Sequence, residues 1–275
     1  MIVSSPDDRQ HSYRVRFADG GEISVRRDEF SILKHLQKGP LGAPADVLSD
    51  YNLSDYVIYR CIVGSQAYGL SRESSDVDRR GIYLPPAELE WSIYGVPEQL
   101  ENADTEECYW ELKKFISLAL KANPNILECL YSPIVEQSSE IADTLLAKRS
   151  IFLSKLVYQT YNGYAMSQFK KLEQDLRATG DLKWKHAMHL IRLLLQGIAV
   201  LKNGEMSVSV AEHRTALLAI RDGQESWDAV NSWRLALHRE FEEAFRSTTL
   251  PETSDYQEAN RLLVSARRSM VEGNH

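Results

Sequence analysis

The sequence contains few cysteines, no long apolar run and no excess of positive charge. Its three cysteines are widely separated, with no CxxC pair and no neighbouring histidine, which argues against a zinc site and favours reduced thiols. No window approaches the roughly 18 apolar residues of a membrane helix, and the N-terminus has no apolar signal region. These absences predict a cytoplasmic protein without a membrane partner, and nothing in the sequence strongly indicates a protein partner.

Positive charge is outweighed by negative charge. The 39 acidic residues exceed the 32 basic ones and give a net charge of -7, which excludes a protein that coats nucleic acid non-specifically. The charge is also uneven, at about -8 over residues 1–139 and about +1 over residues 140–275. If a polynucleotide binds, we expect it to be held locally.

The apolar content, 43% of 275 residues, is sufficient for one large domain or two ordinary ones. Alternating residues around Asp19-Gly20-Gly21 predict a hairpin over 12–26, followed by a helix over 27–38. Residues 56–64 predict a buried strand. A second strand over 76–84 would place Asp76 and Asp78 on one face of the sheet.

Helical periodicity dominates the rest of the chain. It predicts helices over 109–121 and 126–131, and then, after Ser132-Pro133, over 138–147, 150–178, 184–203, 211–222, 225–246 and 254–271. The sequence therefore predicts an α+β domain over 1–137, with a mixed sheet and helices, and an all-helical domain over 138–275 that closes a cleft.

The chemistry concentrates where the first predicted strand ends. Gly64-Ser65 would present backbone N–H groups and a hydroxyl to an anion. Asp76 and Asp78 would point two carboxylates at one place, which suits Mg²⁺ completed by phosphate oxygens and water. Taken alone, Gly-Ser is usually a plain turn and Asp-X-Asp is common on exposed strands. Together, with 10 residues between Ser65 and Asp76, they indicate a metal-nucleotide site.

These motifs resemble the signature of the DNA polymerase β superfamily of nucleotidyltransferases, and the closest branch is the one associated with RNA ligases, often called RlaP. The resemblance covers roughly residues 55–225. It rests on GSQAYG at 64–69, SDVDRRGIY at 75–83, ELKKF at 111–115, KANPN at 121–125 and KHAMHL at 185–190. It implies a polymerase-β-like nucleotidyltransferase domain at the N-terminus.

The superfamily completes a two-metal site with a third carboxylate on a neighbouring strand. The candidates before the 109–121 helix are Asp104, Glu106 and Glu107, with Glu107 the first choice and Glu106 its substitute. Neighbouring strand residues face opposite ways, so only one of the two glutamates can point into the site. A Glu in place of the usual Asp departs from the family pattern, and an exposed acidic loop is the alternative.

The helix predicted over 184–203 carries a polar stripe of Lys185, His189, Arg192 and Gln196. Such stripes are usually solvated faces. Here the stripe mixes cations without a compensating acid, and the resemblance places it opposite the nucleotide site, where it could hold phosphates. Arg80 would share a face with Asp78 and either touch a phosphate or neutralise that carboxylate.

The resemblance implies transfer of a nucleoside monophosphate from an NTP, such as ATP, to an acceptor hydroxyl, with two Mg²⁺ or Mn²⁺ ions and release of pyrophosphate. Asp76, Asp78 and Glu107 would be the catalytic metal ligands. Gly64, Ser65, Arg80, Lys185, His189 and Arg192 would bind the nucleotide. An RNA end is the acceptor that the resemblance suggests, and a protein side chain or a small-molecule hydroxyl are the alternatives. A nucleotide-binding regulatory protein without transfer activity and a metal-dependent phosphohydrolase are the alternatives.

Overall fold

A computed structural model describes residues 2–4, 13–17, 19–26, 48, 51–72, 75–102 and 104–272. The chain divides into two compact units, residues 1–51 and residues 52–275. The helix predicted over 27–38 lies outside the described residues. The predicted domain boundary between residues 137 and 138 stays a prediction.

The first unit contains a small antiparallel sheet. Its strands are β1 (Ile2–Ser4), β2 (Tyr13–Arg16) and β3 (Glu22–Val25), in the order β1-β2-β3. The turn between β2 and β3 is closed by the Phe17 N–H, which donates to the Gly21 carbonyl at 2.8 Å. This is the hairpin that the alternation around Asp19 predicts.

The second unit is built on a five-stranded mixed sheet. Its strands are β4 (Val57–Ile62), β5 (Arg79–Tyr83), β6 (Gln99–Asn102), β7 (Glu107–Glu111) and β8 (Val135–Ser138). They lie in the order β6-β7-β5-β4-β8, with β5 and β7 parallel and the other neighbours antiparallel. The sequence patterns did not indicate the exposed edge strand β8.

The second predicted strand begins later than expected. Asp76 and Asp78 precede β5 rather than lying within it, so the alternation argument for their common face was wrong. The reason is the end of the neighbouring strand. The Val63 N–H donates to the Asp78 carbonyl at 3.0 Å, and the chain then turns at Gly64, where φ is +66°. Residues before Asp78 therefore have no continuing β4 strand to pair with.

The helices follow the predicted pattern more closely. In chain order they are α1 (Gly64–Ala67), α2 (Ala87–Glu90), α3 (Leu112–Ala119), α4 (Pro124–Tyr131), α5 (Glu140–Ala147), α6 (Leu156–Thr179), α7 (Trp184–Asn203), α8 (Arg214–Arg221), α9 (Trp227–Ser247) and α10 (Tyr256–Glu272). None of those described combines the length and apolar content needed to cross a membrane. The mixed sheet followed by a helical region confirms the predicted fold class.

The helix predicted from residue 109 starts at Leu112, because residues 109–111 complete β7. Glu111 ends the strand and caps the helix: its carboxylate accepts from the backbone N–H groups of Lys113 at 2.9 Å and Lys114 at 3.3 Å. A partly buried ion pair with Arg267 of α10 holds the same carboxylate. The strand-to-helix transition is therefore fixed from two sides.

Most of the core lies on one face of the sheet. There the buried side chains of Tyr59, Cys61 and Ile82 pack with α3, α4 and the long helices α6 and α7. The opposite face holds a smaller cluster that includes Tyr83 and Tyr109. The main core thus joins the sheet to the helical region inside one unit.

Gly81 lies at the centre of this sheet, in register with Arg60 of β4. A Cβ at position 81 would collide with the backbone carbonyl of Tyr59. A backbone atom in a paired strand cannot move aside as the end of a side chain can. The β4–β5 pairing, which carries the site described below, therefore requires glycine at position 81.

We expect Gly81→Ala to lower the free energy of unfolding by about 3 kcal/mol, as overpacking against backbone does. The matched control is Gly163→Ala in α6, where an added Cβ meets nothing within 4 Å. This control should raise stability by about 0.5–1 kcal/mol, since alanine is the better helix former. Urea denaturation followed by circular dichroism measures both. Equal effects of the two substitutions would contradict the packing argument.

Candidate functional site

A cavity of about 360 Å³ lies where the sheet meets the helical region. We call it the main cavity. It opens beside the end of β4 and is walled by α1, α4 and α7. Its lining residues are Val63, Gly64, Ser65, Tyr68, Leu70, Asp78, Arg80, Asn125, Glu128, Lys185, His186, Met188, His189 and Arg192. The main cavity therefore brings together Gly64-Ser65, Asp78 and the cationic residues of α7.

Gly64 and Asp78 touch at the floor of the main cavity. A Cβ added to Gly64 would lie 2.5 Å from Asp78 Oδ2, and the φ of +66° at this position already favours glycine. The carboxylate thus lies directly over the Gly-Ser turn. Ser65 lines the same floor, and its carbonyl accepts from the Leu70 N–H at 2.8 Å.

Arg80 occupies the position next to this carboxylate. Its Nη2 donates to Asp78 Oδ1 at 3.2 Å, while Nη1 donates to the carbonyls of Arg79 at 2.8 Å and Glu106 at 2.6 Å. In this structure the guanidinium neutralises Asp78. Because it also lines the main cavity, it could equally meet a phosphate there.

The two aspartates differ in exposure. Asp76 is exposed, whereas Asp78 is half-buried and keeps Oδ2 toward Gly64. Within the described ranges, no three His, Cys, Asp or Glu side chains gather closely enough to hold a metal ion by themselves. Mg²⁺ commonly uses one or two protein carboxylates and takes its other ligands from phosphate and water. Asp78 lines the main cavity and Asp76 does not, so a shared metal site on the two aspartates stays a prediction.

The candidates for a third carboxylate lie apart from Asp78. Glu107 pairs in register with Arg79, and its Oε2 accepts from the Tyr109 hydroxyl at 3.0 Å. Alternation places this side chain on the sheet face opposite Arg80, while Cys108 occupies the matching position on the Arg80 face.

The other two candidates are exposed. Arg80 donates to the backbone carbonyl of Glu106, whereas the Glu106 side chain faces solvent. Asp104 is exposed as well. The role of a third carboxylate therefore stays a prediction.

The polar stripe of α7 points inward. Exposure falls along it, from the exposed Lys185 through the half-buried His189 to Arg192 and Gln196, which are 4% and 5% exposed. The stripe is therefore not a solvated face. Its two inner side chains contact Tyr68, the residue that follows α1, and Arg192 also contacts Glu128 of α4.

Arg192 makes most of these contacts. Its Nη2 donates to Glu128 Oε1 at 3.1 Å and to His189 Nδ1 at 2.7 Å, and its guanidinium lies 3.5 Å from the ring centre of Tyr68. Gln196 Nε2 donates to the Tyr68 hydroxyl at 2.7 Å. Arg192 Nη1, by contrast, is buried without a hydrogen-bond partner in the described structure. This leaves one cationic donor free for a ligand.

His189 faces the main cavity as a neutral ring. Burial, and then the positive charges of Arg192, His186 and Lys185, lower the pKa of His189 to about 3. Because arginine only donates, Nδ1 accepts from Arg192 and the ring proton belongs on Nε2. At neutral pH His189 therefore offers a hydrogen-bond donor rather than a positive charge.

Sequence reasoning missed Tyr68 and Glu128 as members of the site. Glu128 is 6% exposed and pairs with Arg192 across 64 residues of sequence. A signal was present, because Glu128 is the single charged residue of helix α4, between the apolar residues Leu127 and Cys129. Tyr68 lies within the motif at 64–69, but its contacts with α7 depend on tertiary packing, which the sequence does not reveal.

The lowered pKa of His189 makes stability depend on pH. Between the ordinary value of 6.5 and about 3, the unfolded chain binds a proton that the folded chain does not. The free energy of unfolding should therefore fall as the pH falls, by up to about 1.4 kcal/mol per pH unit from this residue.

In His189→Asn, which keeps an acceptor for Arg192, we expect this contribution to vanish. Urea denaturation of both proteins between pH 6 and pH 4.5 measures the difference in slope. Parallel pH profiles would contradict a neutral, buried His189.

Two curated relatives match part of the chain. The uncharacterized protein YcgL of Bacillus subtilis (strain 168) is 37% identical over 155 residues, which are 54% of this chain and 57% of the relative. The uncharacterized protein MJ0002 of Methanocaldococcus jannaschii is 28% identical over 163 residues, 57% of this chain and 65% of the relative. The matched stretches thus span less than two thirds of either relative.

The family comparison covers most of the chain. The model of RlaP, the RNA repair pathway DNA polymerase beta family, matches residues 46–265. This range contains the sheet of the second unit, the main cavity and all the predicted site residues. The match agrees with the resemblance carried by Gly64-Ser65 and the two aspartates. The chain belongs to the RNA repair pathway DNA polymerase beta family.

Proposed function

We propose that this chain transfers a nucleoside monophosphate from an NTP, with ATP among the candidates, to an acceptor hydroxyl at an RNA end. The observation that carries the proposal is the contact between Gly64 and Asp78. It joins a turn suited to phosphate and a carboxylate suited to a metal at the floor of one cavity. Family membership supports a nucleotidyltransferase role in RNA repair.

The proposed reaction breaks the phosphoanhydride bond between the α- and β-phosphates and forms a phosphoester bond to the acceptor oxygen. The acceptor oxygen attacks the α-phosphorus in line, and the bond from that phosphorus to the bridging oxygen breaks. Pyrophosphate leaves with the electron pair of that bond, and the proton of the hydroxyl passes to solvent. The protein's part is to orient the two reactants and to stabilise the charge that develops on phosphate.

Asp76 and Asp78 would hold the divalent cation, Mg²⁺ or Mn²⁺. When bound, the cation supplies charge neutralisation at the phosphates and lowers the pKa of the attacking hydroxyl. The scheme with two ions also needs a third carboxylate: Glu107, the first choice, contacts Tyr109 on the other face of the sheet, and Glu106, its substitute, is exposed, so either would have to move to bind the ion. Arg80 is positioned to hold Asp78 in place while a ligand enters.

The triphosphate would be bound from two sides of the main cavity, its floor and the wall formed by α7. Gly64 and Ser65 would bind the β- and γ-phosphates from the floor. From α7, Lys185 brings an exposed positive charge, Arg192 lines the cavity with its buried guanidinium and His189 brings Nε2–H. Burial of Arg192 strengthens its interaction with an anion, because little water competes there.

We expect Asp76→Asn and Asp78→Asn each to reduce transfer about 100-fold or more, because the metal loses a charged ligand. Each labelled α-³²P NTP is incubated with Mg²⁺ or Mn²⁺ and RNA carrying free hydroxyl ends, and label incorporation and pyrophosphate are followed together. Asp175→Asn, the same change on the exposed side of α6, is the control and should keep full activity. Full activity of the Asp76 and Asp78 variants would refute the proposal.

A nucleotide-binding regulatory role is the second candidate. It is favoured by the position of Glu107, whose carboxylate faces Tyr109 on the far side of the sheet. A protein of this kind would bind the NTP in the same cavity without transferring it. In the labelling assay it would give tight binding and neither product, whereas a transferase gives label incorporation and pyrophosphate in equal amounts.

We propose the cytoplasm as the site of action. Cys61, Cys108 and Cys129 are all free and buried, and burial raises the pKa of Cys108 to about 11. Thiols that are neither paired nor ionised are compatible with a reducing compartment.

A further inference from the structure

A second cavity of about 350 Å³ lies next to the main cavity, on the other side of Tyr68 and Arg192. We call it the side cavity. The two cavities share only these two residues. The side cavity is lined by Tyr68, Arg192, Leu195, Gln196, Ala199, Asn203, Ser207, Ser209, Val210, Ala211, Glu212 and His213. Its volume lies within the range of about 300–1,000 Å³ that is typical of small-molecule sites.

The inner wall of the side cavity carries a hydrogen-bond acceptor without a partner. Gln196 is 5% exposed and donates through Nε2 to Tyr68, which fixes its amide, but Oε1 is buried and unpaired among the described residues. Arg192 Nη1, an unpaired donor that is also buried, belongs to the same wall. Leaving such a group unpaired costs about 1–3 kcal/mol. An unpaired acceptor and an unpaired donor on one wall therefore favour a ligand that carries a hydrogen-bond donor beside an acceptor.

The charge of the side cavity differs from that of the main cavity. The main cavity is lined by Lys185, Arg80 and Arg192. Among the described residues that line the side cavity, Arg192 is the one lysine or arginine, and it is already paired with Glu128. Glu212 adds a negative charge at the rim. A phosphate is therefore disfavoured in the side cavity, and a neutral ligand is favoured.

The remaining lining suits a flat ring. Leu195, Ala199 and Val210 are apolar, and the imidazole of His213 lies at the wall, 6.0 Å from the Trp233 ring. Ser207 and Ser209 form an exposed polar rim. Apolar walls with a few convergent polar groups are the usual composition of a ligand site.

We propose that the side cavity binds a nucleobase, through a ring N–H or amino group that donates to Gln196 Oε1 and an acceptor that faces Arg192. This rests on the proposed function, which supplies nucleotides to the neighbouring cavity. Two sources of this chemistry exist: the base of the NTP itself and the base at the end of the RNA acceptor. Both present a neutral ring with a donor beside an acceptor.

The test measures the binding of two kinds of probe to the full chain by isothermal titration calorimetry, so that binding of the base and binding of the phosphates are followed separately. The first probe is each of the four ribonucleosides, and the second is tripolyphosphate with Mg²⁺. The variants are Gln196→Met, which removes the acceptor from the side cavity, and Lys185→Met, which removes a charge from the main cavity alone.

We expect Gln196→Met to weaken nucleoside binding about tenfold or more while it still binds tripolyphosphate, which shows that the variant is folded. Lys185→Met should show the reverse pattern. Competition between the nucleoside and its own NTP would identify the NTP as the source of the base. Simultaneous binding of both would identify the acceptor.

Nucleoside binding that is absent at millimolar concentration, or unchanged in Gln196→Met, would overturn the inference and leave a cavity that holds water only. Failure of the proposed function gives a different result. In that case the labelling assay gives neither label incorporation nor pyrophosphate, whereas the dependence of nucleoside binding on Gln196 is unaffected.

Discussion

The ion pair between Arg192 and Glu128 is the interaction on which the site depends. Both side chains are almost completely buried, and removing two charges from water costs several kcal/mol per ion unless each finds a partner. Glu128 belongs to α4, which packs on the sheet, and Arg192 belongs to α7 in the helical region. Pairing them fixes the helical wall of the main cavity relative to the Gly-Ser turn, with Tyr68 stacked against the guanidinium. Nη1 of the same guanidinium remains for a ligand.

The position of the Arg192–Glu128 ion pair also explains why the two cavities have different linings. Arg192 and Tyr68 form the partition between them, so one side of this partition faces Asp78 and Lys185 and the other faces Gln196. The net charge of -7 therefore says little about the site itself. Cations are concentrated locally: Arg80 lies beside Asp78, and Lys185 and Arg192 of α7 line the same cavity. A metal ion between Asp76, Asp78 and a triphosphate would add positive charge where the protein is acidic.

Much of this could be predicted from the sequence, because it depends on local pattern. The hairpin around Asp19, the buried strand β4 and the helix α7 follow from periodicity and turn residues. The Gly64-Ser65 motif and the two aspartates pointed to one site, and Gly64 and Asp78 do meet there.

What could not be predicted depends on pairing between distant segments. The face on which Glu107 lies is set by its register with Arg79, and a shift of one residue would reverse it. Asp76 and Asp78 fall outside the strand because β4 ends at Ile62, which their own sequence does not reveal. Glu128 became part of the site only through a contact with a helix 64 residues away.

The most direct measurement is a manganese anomalous difference map from crystals grown with Mn²⁺ and an NTP analogue that cannot be cleaved between the α- and β-phosphates. We expect a manganese peak bounded by Asp76, Asp78 and the triphosphate, with the outer phosphates beside Gly64-Ser65 and within reach of Arg192. A nucleotide bound elsewhere, or a manganese peak distant from both aspartates, would contradict it.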